Sequence, residues 1–111
     1  MAECRLEQSG RVLVVYLSGE IDHHEAARLR GQIDPRILSG DFARVVLDFS
    51  GVTFMDSSGI GVLLNRYKQM AGSGGSVVLY GAGTQVRRIL HVGGLARLVP
   101  CFETKEAALS C

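Results

Sequence analysis

The side chains best placed to do chemistry in this chain belong to the tripeptide Asp56-Ser57-Ser58. Apolar residues with helical spacing follow it, so the tripeptide is predicted to lie at the start of a helix. The first backbone N–H groups of a helix lack intrahelical partners, and Asp or Ser side chains often cap them. Capping accounts for one of the three polar residues, which leaves the others as candidates for another role.

Two glycines, Gly59 and Gly61, follow at once on either side of Ile60. Glycine near the start of a helix costs about 1 kcal/mol relative to alanine. The usual compensation is the close approach of another backbone, a ligand or a partner protein. We therefore predict that Gly59, Ile60 and Gly61 give a partner close access to this helix start.

A second polar segment, Gly19-Glu20-Ile21-Asp22-His23-His24, is predicted to join a strand to a helix. Asp22 and Glu25 have the spacing of a capping box, which marks Asp22 as the start of that helix. Strand–helix junctions of this kind gather at one end of an open sheet that is connected by crossover helices. We therefore expect Asp22 to lie near Asp56 and Ser57.

The elements that must position these side chains can be predicted from the apolar patterns. A β-hairpin is followed by alternating helices and strands, which predicts an α/β fold with a central mixed, mostly parallel sheet and about four helices packed against it. The predicted strands are Cys4–Gln8, Arg11–Leu17, Arg44–Phe49 with an extension to Phe54, Ser76–Tyr80 and Leu98–Cys101 at an edge, and the helices begin at Asp22, Asp56, Thr84 and Thr104.

Glycine and proline are predicted to interrupt two of these elements. Gly19 is expected to break the second strand of the hairpin. Pro35 is expected to stop or kink the first helix around Asp34, because proline removes a helical hydrogen bond. Ile37 and Leu38 are then predicted to continue the buried face in a last irregular turn.

The helix that begins at Asp56 has the clearest apolar face in the sequence. Arg66 is predicted to lie off this face, and Gly72-Ser73-Gly74-Gly75 is predicted to end the helix. Thr84 is predicted to cap the next helix. The face itself is formed by Ile60, Leu63, Leu64, Tyr67 and Ala71.

Composition limits the possible functions. The chain has 111 residues, 47% of them apolar and 21% charged, which predicts one globular domain over residues 1–111. The net charge is +1, the basic residues are dispersed and tryptophan is absent, so direct nucleic-acid binding is not expected. Because the sequence has neither an apolar run of membrane-spanning length nor a signal peptide, we expect a cytoplasmic protein with no membrane partner.

The three cysteines, Cys4, Cys101 and Cys111, do not indicate chemistry. Their odd number and wide spacing do not fit a disulfide framework, and without a C-x-x-C pair a thiolate metal site is not expected. Cys4 and Cys101 are predicted to be small apolar residues in or near strands, and Cys111 a loose terminal thiol.

Three other kinds of site have partial signals in the sequence. Ser57 with a histidine and Asp22 or Asp56 offers the residue types of a hydrolase triad, but the sequence lacks the leading glycine of a G-x-S-x-G elbow. Adjacent His23 and His24 point about 100° apart on a helix and rarely share one metal ion. The glycine-rich segments do not complete a nucleotide-binding motif. No enzymatic activity, cofactor or metal is therefore expected.

The sequence resembles a STAS domain, and within that family the anti-sigma F factor antagonists. The resemblance rests on Gly19-Glu20-Ile21-Asp22-His23-His24, Leu47-Asp48-Phe49, Phe54-Met55-Asp56-Ser57-Ser58-Gly59-Ile60-Gly61 and Asn65-Arg66-Tyr67-Lys68-Gln69. It extends from the first strand to about Phe102, which is nearly the whole chain. The G-E-I-D-H-H and D-S-S-G-I-G segments are specific in combination, whereas either alone would be only moderately specific. It implies a mixed sheet with helices on one side.

The resemblance also implies a mechanism. The unphosphorylated form would bind an anti-sigma factor, which is an ATP-dependent serine kinase, and so release the sigma factor. The kinase would then phosphorylate Ser57 and binding would be lost, until a separate serine phosphatase restores it. Residue chemistry by itself does not choose Ser57 over Ser58; the choice follows from the resemblance.

The predicted partner-binding surface surrounds this serine. Asp22 and Asp56 flank it and are expected to shape recognition by the kinase, and Thr84 and Gln85 at the next helix start are expected to join the surface. An alternative function is that of a general stress-response antagonist, with the same fold and switch but a different kinase. STAS domains also form the tails of anion transporters, which the absence of a membrane span argues against here.

Overall fold

The computed structural model describes residues 2–40, 42–72 and 74–110, apart from the side chains of Val62 and Leu64. The predictions for Ser73, the Cys111 thiol and the burial of Leu64 therefore lie outside the described residues. In chain order the elements are β1 Ala2–Ser9, β2 Val12–Ile21, α1 His23–Ser39, β3 Arg44–Met55, α2 Ser57–Gly72, β4 Ser76–Tyr80, α3 Thr84–Val92, a 3-10 helix Leu95–Arg97, β5 Cys101–Phe102 and α4 Lys105–Ser110.

The five strands form one sheet in the order β1-β2-β3-β4-β5. β1 and β2 are antiparallel, and the other three neighbouring pairs are parallel. Parallel neighbours need a crossover connection, and α1, α2 and α3 supply it. The predicted mixed, mostly parallel sheet opened by a hairpin and accompanied by four helices is confirmed.

The sheet buries apolar side chains on both faces. Alternate strand residues, among them Val15, Leu47 and Leu79, pack on the side of α1, α2 and α3. The intervening residues Val46 and Val78 face the other side, where they form a second cluster with Tyr80 and Ala108 of α4. The expectation that all helices lie on one side is therefore wrong for α4.

The end of α4 and the start of β3 are joined by polar contacts on this second side. Arg44 donates a hydrogen bond of 3.0 Å to the carbonyl of Ala108. At the other end of α4, Lys105 Nζ lies 2.8 Å from the Tyr16 hydroxyl of β2. α4 begins one residue later than predicted, and the Thr104 hydroxyl accepts a hydrogen bond from the Ala107 N–H at 3.2 Å, as a capping residue does.

β2 continues beyond Gly19, which was expected to end it. Gly19 has a φ of +87°, in the region that favours glycine, and the pairing register with β3 shifts between Gly19 and Glu20. The shift leaves Thr53 of β3 without a partner between Val52 and Phe54, so the extra residue of this bulge lies in β3, opposite Gly19 and Glu20. The strand therefore reaches Ile21, where it pairs with Met55 at the end of β3.

α1 also continues where a stop was predicted. Pro35 lies inside the helix, which runs on to Ser39. The hydrogen bond that proline cannot make would end on the carbonyl of Gly31, an exposed position that water can reach. Buried Ile33 and Ile37 hold the helix to the sheet on either side of the proline, whereas Leu38 is 73% exposed and does not continue the buried face.

Arg66 of α2 is buried, with only 4% of its surface exposed, although the apolar spacing placed it off the helix face. Its guanidinium pairs with the Asp34 carboxylate of α1, at 2.5 Å between Nη1 and Oδ1. Burial lowers the pKa of Arg66, and the Asp34 charge acts in the opposite direction. The pair joins α1 to α2, an arrangement that depends on tertiary contact and not on helix periodicity.

Three smaller differences concern the ends of elements. Thr84 is the first residue of α3 and does not cap it; the capping position is Gly83, which makes no side-chain hydrogen bond. The last strand is Cys101–Phe102, two residues that follow Pro100, whereas Leu98–Cys101 was predicted. Within residues 2–40, 42–72 and 74–110, no helix is both long and apolar enough to span a membrane.

Candidate functional site

The predicted site lies where β2 and β3 end side by side. Ile21 and Met55 are paired neighbours in the parallel register, so Asp22 and Asp56 follow at adjacent positions. The Asp56 N–H donates to the Ile21 carbonyl at 3.2 Å, which continues the pairing by one bond. The expectation that the two strand–helix junctions share one end of the sheet agrees with this register.

Each aspartate caps the helix that follows it. Asp22 Oδ1 accepts a hydrogen bond from the Glu25 N–H at 3.0 Å, and Asp56 Oδ1 accepts one from the Ser58 N–H at 2.8 Å. The Asp56 carbonyl also accepts from the Gly59 N–H at 3.1 Å. These bonds satisfy N–H groups that lack intrahelical partners and fix the direction in which α2 leaves the sheet.

The two serines at the start of α2 have different surroundings. Ser57, the first helical residue, is exposed, and no hydrogen bond of its hydroxyl occurs within the described part of the chain. Ser58 is partly buried, and its hydroxyl oxygen lies 3.4 Å from Nδ1 of His23. Only the Ser57 hydroxyl is therefore both exposed and unengaged.

Gly59 is buried, and the close packing of α2 on β3, not access for a partner, explains why this position holds a glycine. A Cβ at this position would lie 2.4 Å from Sδ and 2.5 Å from Cγ of Met55, inside the van der Waals contact distance. The absence of a side chain thus lets α2 pack closely on the end of β3. Gly61, by contrast, is exposed, and a Cβ there would meet nothing within 4 Å.

Ile60 connects the helix start to the end of α3. Its side chain is partly buried, and its Cδ1 would lie 3.2 Å from a Cβ built on Gly93. A side chain at position 93 would therefore push against Ile60. Ile60 follows Ser57 by three residues and so lies on the same side of α2, about one turn further along.

Thr84 and Gln85 at the start of α3 differ in exposure and in their contacts. Thr84 is exposed, whereas the Gln85 amide binds the backbone of Met55. Gln85 Oε1 accepts from the Met55 N–H at 3.1 Å, and Nε2 donates to the Met55 carbonyl at 2.9 Å. Gln85 thus positions the site through the backbone, a role that its sequence context did not reveal.

A shallow groove between α1 and α2 brings Ser58 and Gly61, which were predicted to bind the partner, together with residues that were not. Its polar lining includes His23, Arg30, Ser58 and Asn65, and Gly61 forms part of its wall. His23 was considered only for metal or hydrolase chemistry. Its position directly after the capping Asp22 is the sequence signal that could have placed His23 in this groove, because that helix start lies next to the start of α2.

The positions of the histidines bear on the hydrolase and metal-binding alternatives. Ser58, and not Ser57, is the serine that meets a histidine, and no hydrogen bond within the described ranges joins the His23 ring to a carboxylate, as a triad would need. The rings of His23 and His24 lie 6.0 Å apart. Across the residues that the structure describes, no group of three His, Cys, Asp or Glu side chains could hold a metal ion.

Comparison with known proteins agrees with the fold and the motifs. The STAS domain family matches residues 3–108 of this chain. An anti-sigma F factor antagonist of Paenibacillus polymyxa is 36% identical over 97% of this chain and 92% of its own length.

Two solved structures of SpoIIAA are also similar. The unphosphorylated form of this anti-sigma factor antagonist superposes with a TM-score of 0.85 and 30% identity, over 97% of this chain and 94% of the other. The phosphorylated form of this Bacillus cell fate determinant has a TM-score of 0.76 and 29% identity, over 97% of each chain. The chain belongs to the STAS domain family and is an anti-sigma factor antagonist.

Proposed function

We propose that this protein binds an anti-sigma factor that is also an ATP-dependent serine kinase, and that phosphorylation of Ser57 ends the binding. The unphosphorylated antagonist would occupy the anti-sigma factor and so release the sigma factor. A serine phosphatase would return the modified protein to its binding form. The observation that carries this proposal is the exposed, unengaged hydroxyl of Ser57 at the tip of α2.

Exposure supports Ser57 over Ser58 as the phosphate acceptor. A kinase must bring the γ-phosphate of ATP in line with the attacking hydroxyl oxygen, which requires open space around that oxygen. Ser57 offers that space, whereas Ser58 is partly buried beside His23. The similarity to a solved phosphorylated SpoIIAA is consistent with a phosphorylation switch in this chain.

The tip of α2 suits a switch that blocks an interface without refolding the domain. A phosphate on Ser57 adds about −1.5 to −2 charge at neutral pH. A helix N-terminus tolerates an anion, so the fold is expected to persist. A partner docked over Ser57 would meet new bulk and negative charge next to the carboxylate of Asp56, with Asp22 at the end of the adjacent strand.

The surface proposed for the partner consists of the exposed residues around this tip. Asp22, Ser57, Gly61 and Thr84 are exposed, and Ile60 and Ser58 are partly so. Gly59 and Gln85 shape this surface from below, through Met55. We place the protein in the cytoplasm, where the sigma factor acts.

The family alternative is a general stress-response antagonist with a different kinase partner. Both alternatives use the same serine and the same charge effect, so the geometry of the site does not separate them. Binding to two purified kinases, one of the sigma F system and one of a stress system, would do so. We expect the tighter complex with the sigma F kinase.

The site assignment is tested by incubating the protein with its anti-sigma kinase and ATP and mapping the phosphopeptide by mass spectrometry. We expect a single phosphate on Ser57, no incorporation into Ser57→Ala, and normal incorporation into the matched control Ser58→Ala. Phosphate found on Ser58 alone, or undiminished incorporation into Ser57→Ala, would refute the assignment.

A further inference from the structure

The charged residues of this chain are unevenly distributed along it. Residues 57–102 contain five Lys or Arg residues and no Asp or Glu. The remainder of the chain has seven Lys or Arg residues against eleven Asp or Glu. The overall net charge of +1 therefore conceals a basic segment and a more acidic remainder of the chain, and the composition alone did not reveal it.

Part of this basic charge collects on one exposed surface, which we call the α3 face. It consists of Arg88, His91 and Val92 on α3, together with Arg97 and Leu98 in and after the 3-10 helix, and all five residues are exposed. Arg88 and Val92 are four residues apart and so share one side of the helix.

The α3 face also exposes apolar side chains that the core does not use. Val92 is 79% exposed and Leu98 is 42% exposed, whereas the packing of α3 is done by Val86 and Leu90, each 1% exposed. His91, Val92, Arg97 and Leu98 line a common groove. An apolar groove with a charged rim is the kind of surface that marks an interaction site.

We propose that the α3 face docks an acidic protein segment that carries apolar side chains. Arg88 and Arg97 would meet the acidic groups of this segment, and Val92 and Leu98 would contact its apolar ones. Charge complementarity selects an acidic occupant, because Asp and Glu are absent from the whole stretch that builds this face.

A protein segment fits this face better than a nucleic acid or a membrane does. Nucleic-acid platforms stack bases on aromatic rings, and none of the five residues of the α3 face is Phe, Tyr or Trp. Clusters that hold anionic membranes contain about four to eight Lys or Arg residues, whereas this face has two. An apolar centre with a polar rim is typical of protein–protein interfaces.

The α3 face adjoins the Ser57 site but does not depend on it. Gly93, directly after α3, is the position at which an added Cβ would meet Ile60 of α2. A partner on the start of α2 could thus continue onto the α3 face. The docking itself requires no phosphorylation, so its test can succeed or fail independently of the proposed switch.

The test measures binding of a fluorescein-labelled peptide of alternating Glu and Leu pairs by fluorescence anisotropy, with the same peptide carrying Lys in place of Glu as the control probe. We expect the acidic peptide to bind more tightly. Arg88→Glu and Arg97→Glu should each weaken its binding about fivefold, which corresponds to one reversed charge pair. Raising the salt concentration should weaken binding as well.

Matched variants on other surfaces separate this site from general charge effects. Arg5→Glu reverses a charge on β1, where the Arg5 side chain is 66% exposed, and should leave peptide binding unchanged. Val92→Ser should weaken binding, whereas Leu38→Ser removes a comparably exposed apolar side chain from α1 and should not.

Three outcomes would overturn the proposal. Equal binding of the Glu and Lys peptides would remove the charge argument. An effect of Arg5→Glu as large as that of Arg88→Glu would show that net charge, and not this face, governs binding. Binding of phosphatidylglycerol vesicles or of single-stranded DNA in place of the peptide, with the same loss in Arg97→Glu, would assign the face to a different class of partner.

Discussion

The side-chain amide of Gln85 is hydrogen bonded to both the N–H and the carbonyl of Met55, at 3.1 and 2.9 Å. Through this contact the start of α3 holds the end of β3, one residue before the aspartate that caps α2. The start of α2 is thus fixed from two sides, by Gln85 and by the pairing of Ile21 with Met55. Ser57, which is exposed, is the first residue of the helix that these contacts orient.

Removing the Gln85 amide should therefore cost stability. Gln85→Ala leaves the partly buried N–H and carbonyl of Met55 without their partner, and an unsatisfied polar group costs about 1–3 kcal/mol of unfolding free energy. Urea denaturation measures this loss. Thr84→Ala is the control, because Thr84 is exposed and makes no capping bond, and should change stability by less than about 0.5 kcal/mol. Equal stability of the two variants would contradict the role given to Gln85.

Gly59 and Gly61 of α2 should respond in opposite directions to substitution by alanine. Gly59→Ala places a methyl group against Met55 and should cost about 1–3 kcal/mol of unfolding free energy, the usual effect of overpacking. Gly61→Ala enters open space and should gain up to about 1 kcal/mol from helix propensity. Thermal or chemical unfolding of both variants checks this, and a neutral Gly59→Ala would show that Met55 moves aside freely.

Removing Asp34 and removing Arg66 from their ion pair should destabilise the protein by different amounts. Asp34→Ala leaves the buried guanidinium of Arg66 without its counter-charge, and breaking a buried pair in this way costs about 3 kcal/mol of unfolding free energy. Arg66→Met leaves an Asp34 side chain that is 28% exposed and can be hydrated, so we expect a smaller loss. Denaturation curves of both variants decide this. A larger loss for Arg66→Met would show that Arg66 contributes mainly by its packing.

Glu25 should make stability depend on pH in the acid range. Its hydrogen bonds with Arg28, and next with the Ala2 N–H, lower the pKa of its carboxyl group. Because the folded-state pKa lies below the unfolded value, this contribution is present above the unfolded pKa and is lost as pH falls through the folded pKa. The melting temperatures of the parent protein and Glu25→Gln should thus differ at neutral pH and converge in acid.

The matched variant for this experiment is Arg28→Met, which removes the largest cause of the pKa shift. In the Arg28→Met background, adding Glu25→Gln should change the melting temperature at neutral pH by less than it does in the parent protein. If the difference in melting temperature between the parent protein and Glu25→Gln stayed constant from neutral pH into the acid range, the Glu25 charge would not be responsible for it.

Short-range sequence signals predicted much of the fold. The spacing of Asp22 and Glu25 predicted a helix cap, and the Glu25 N–H does bond to Asp22. The Glu25 carboxylate, however, accepts from the Ala2 N–H of β1 and not from the capping residue as a capping box requires. Its partner is distant in sequence, so local spacing could not identify it.

Contacts between residues that are distant in sequence also explain the wrong predictions for the helices. The burial of Arg66 depends on Asp34, which the fold brings close from another helix. Pro35 was expected to stop or kink α1, yet the helix continues to Ser39, with buried side chains on both sides of the proline that hold it in place. In the site, Ser57 and Asp56 could be predicted from capping chemistry and the family resemblance, whereas Gln85 acts through a contact with Met55 that only the tertiary structure provides.

The most direct measurement of the switch is the affinity of the anti-sigma kinase for four forms of this protein: unmodified, phosphorylated on Ser57, Ser57→Ala and Ser57→Asp. We predict that the unmodified form and Ser57→Ala bind alike, and that the phosphorylated form binds at least about tenfold more weakly, a change of about 1.4 kcal/mol. Ser57→Asp should lie between them, because it carries less charge than phosphate. Equal affinity of the phosphorylated and unmodified forms would contradict the account.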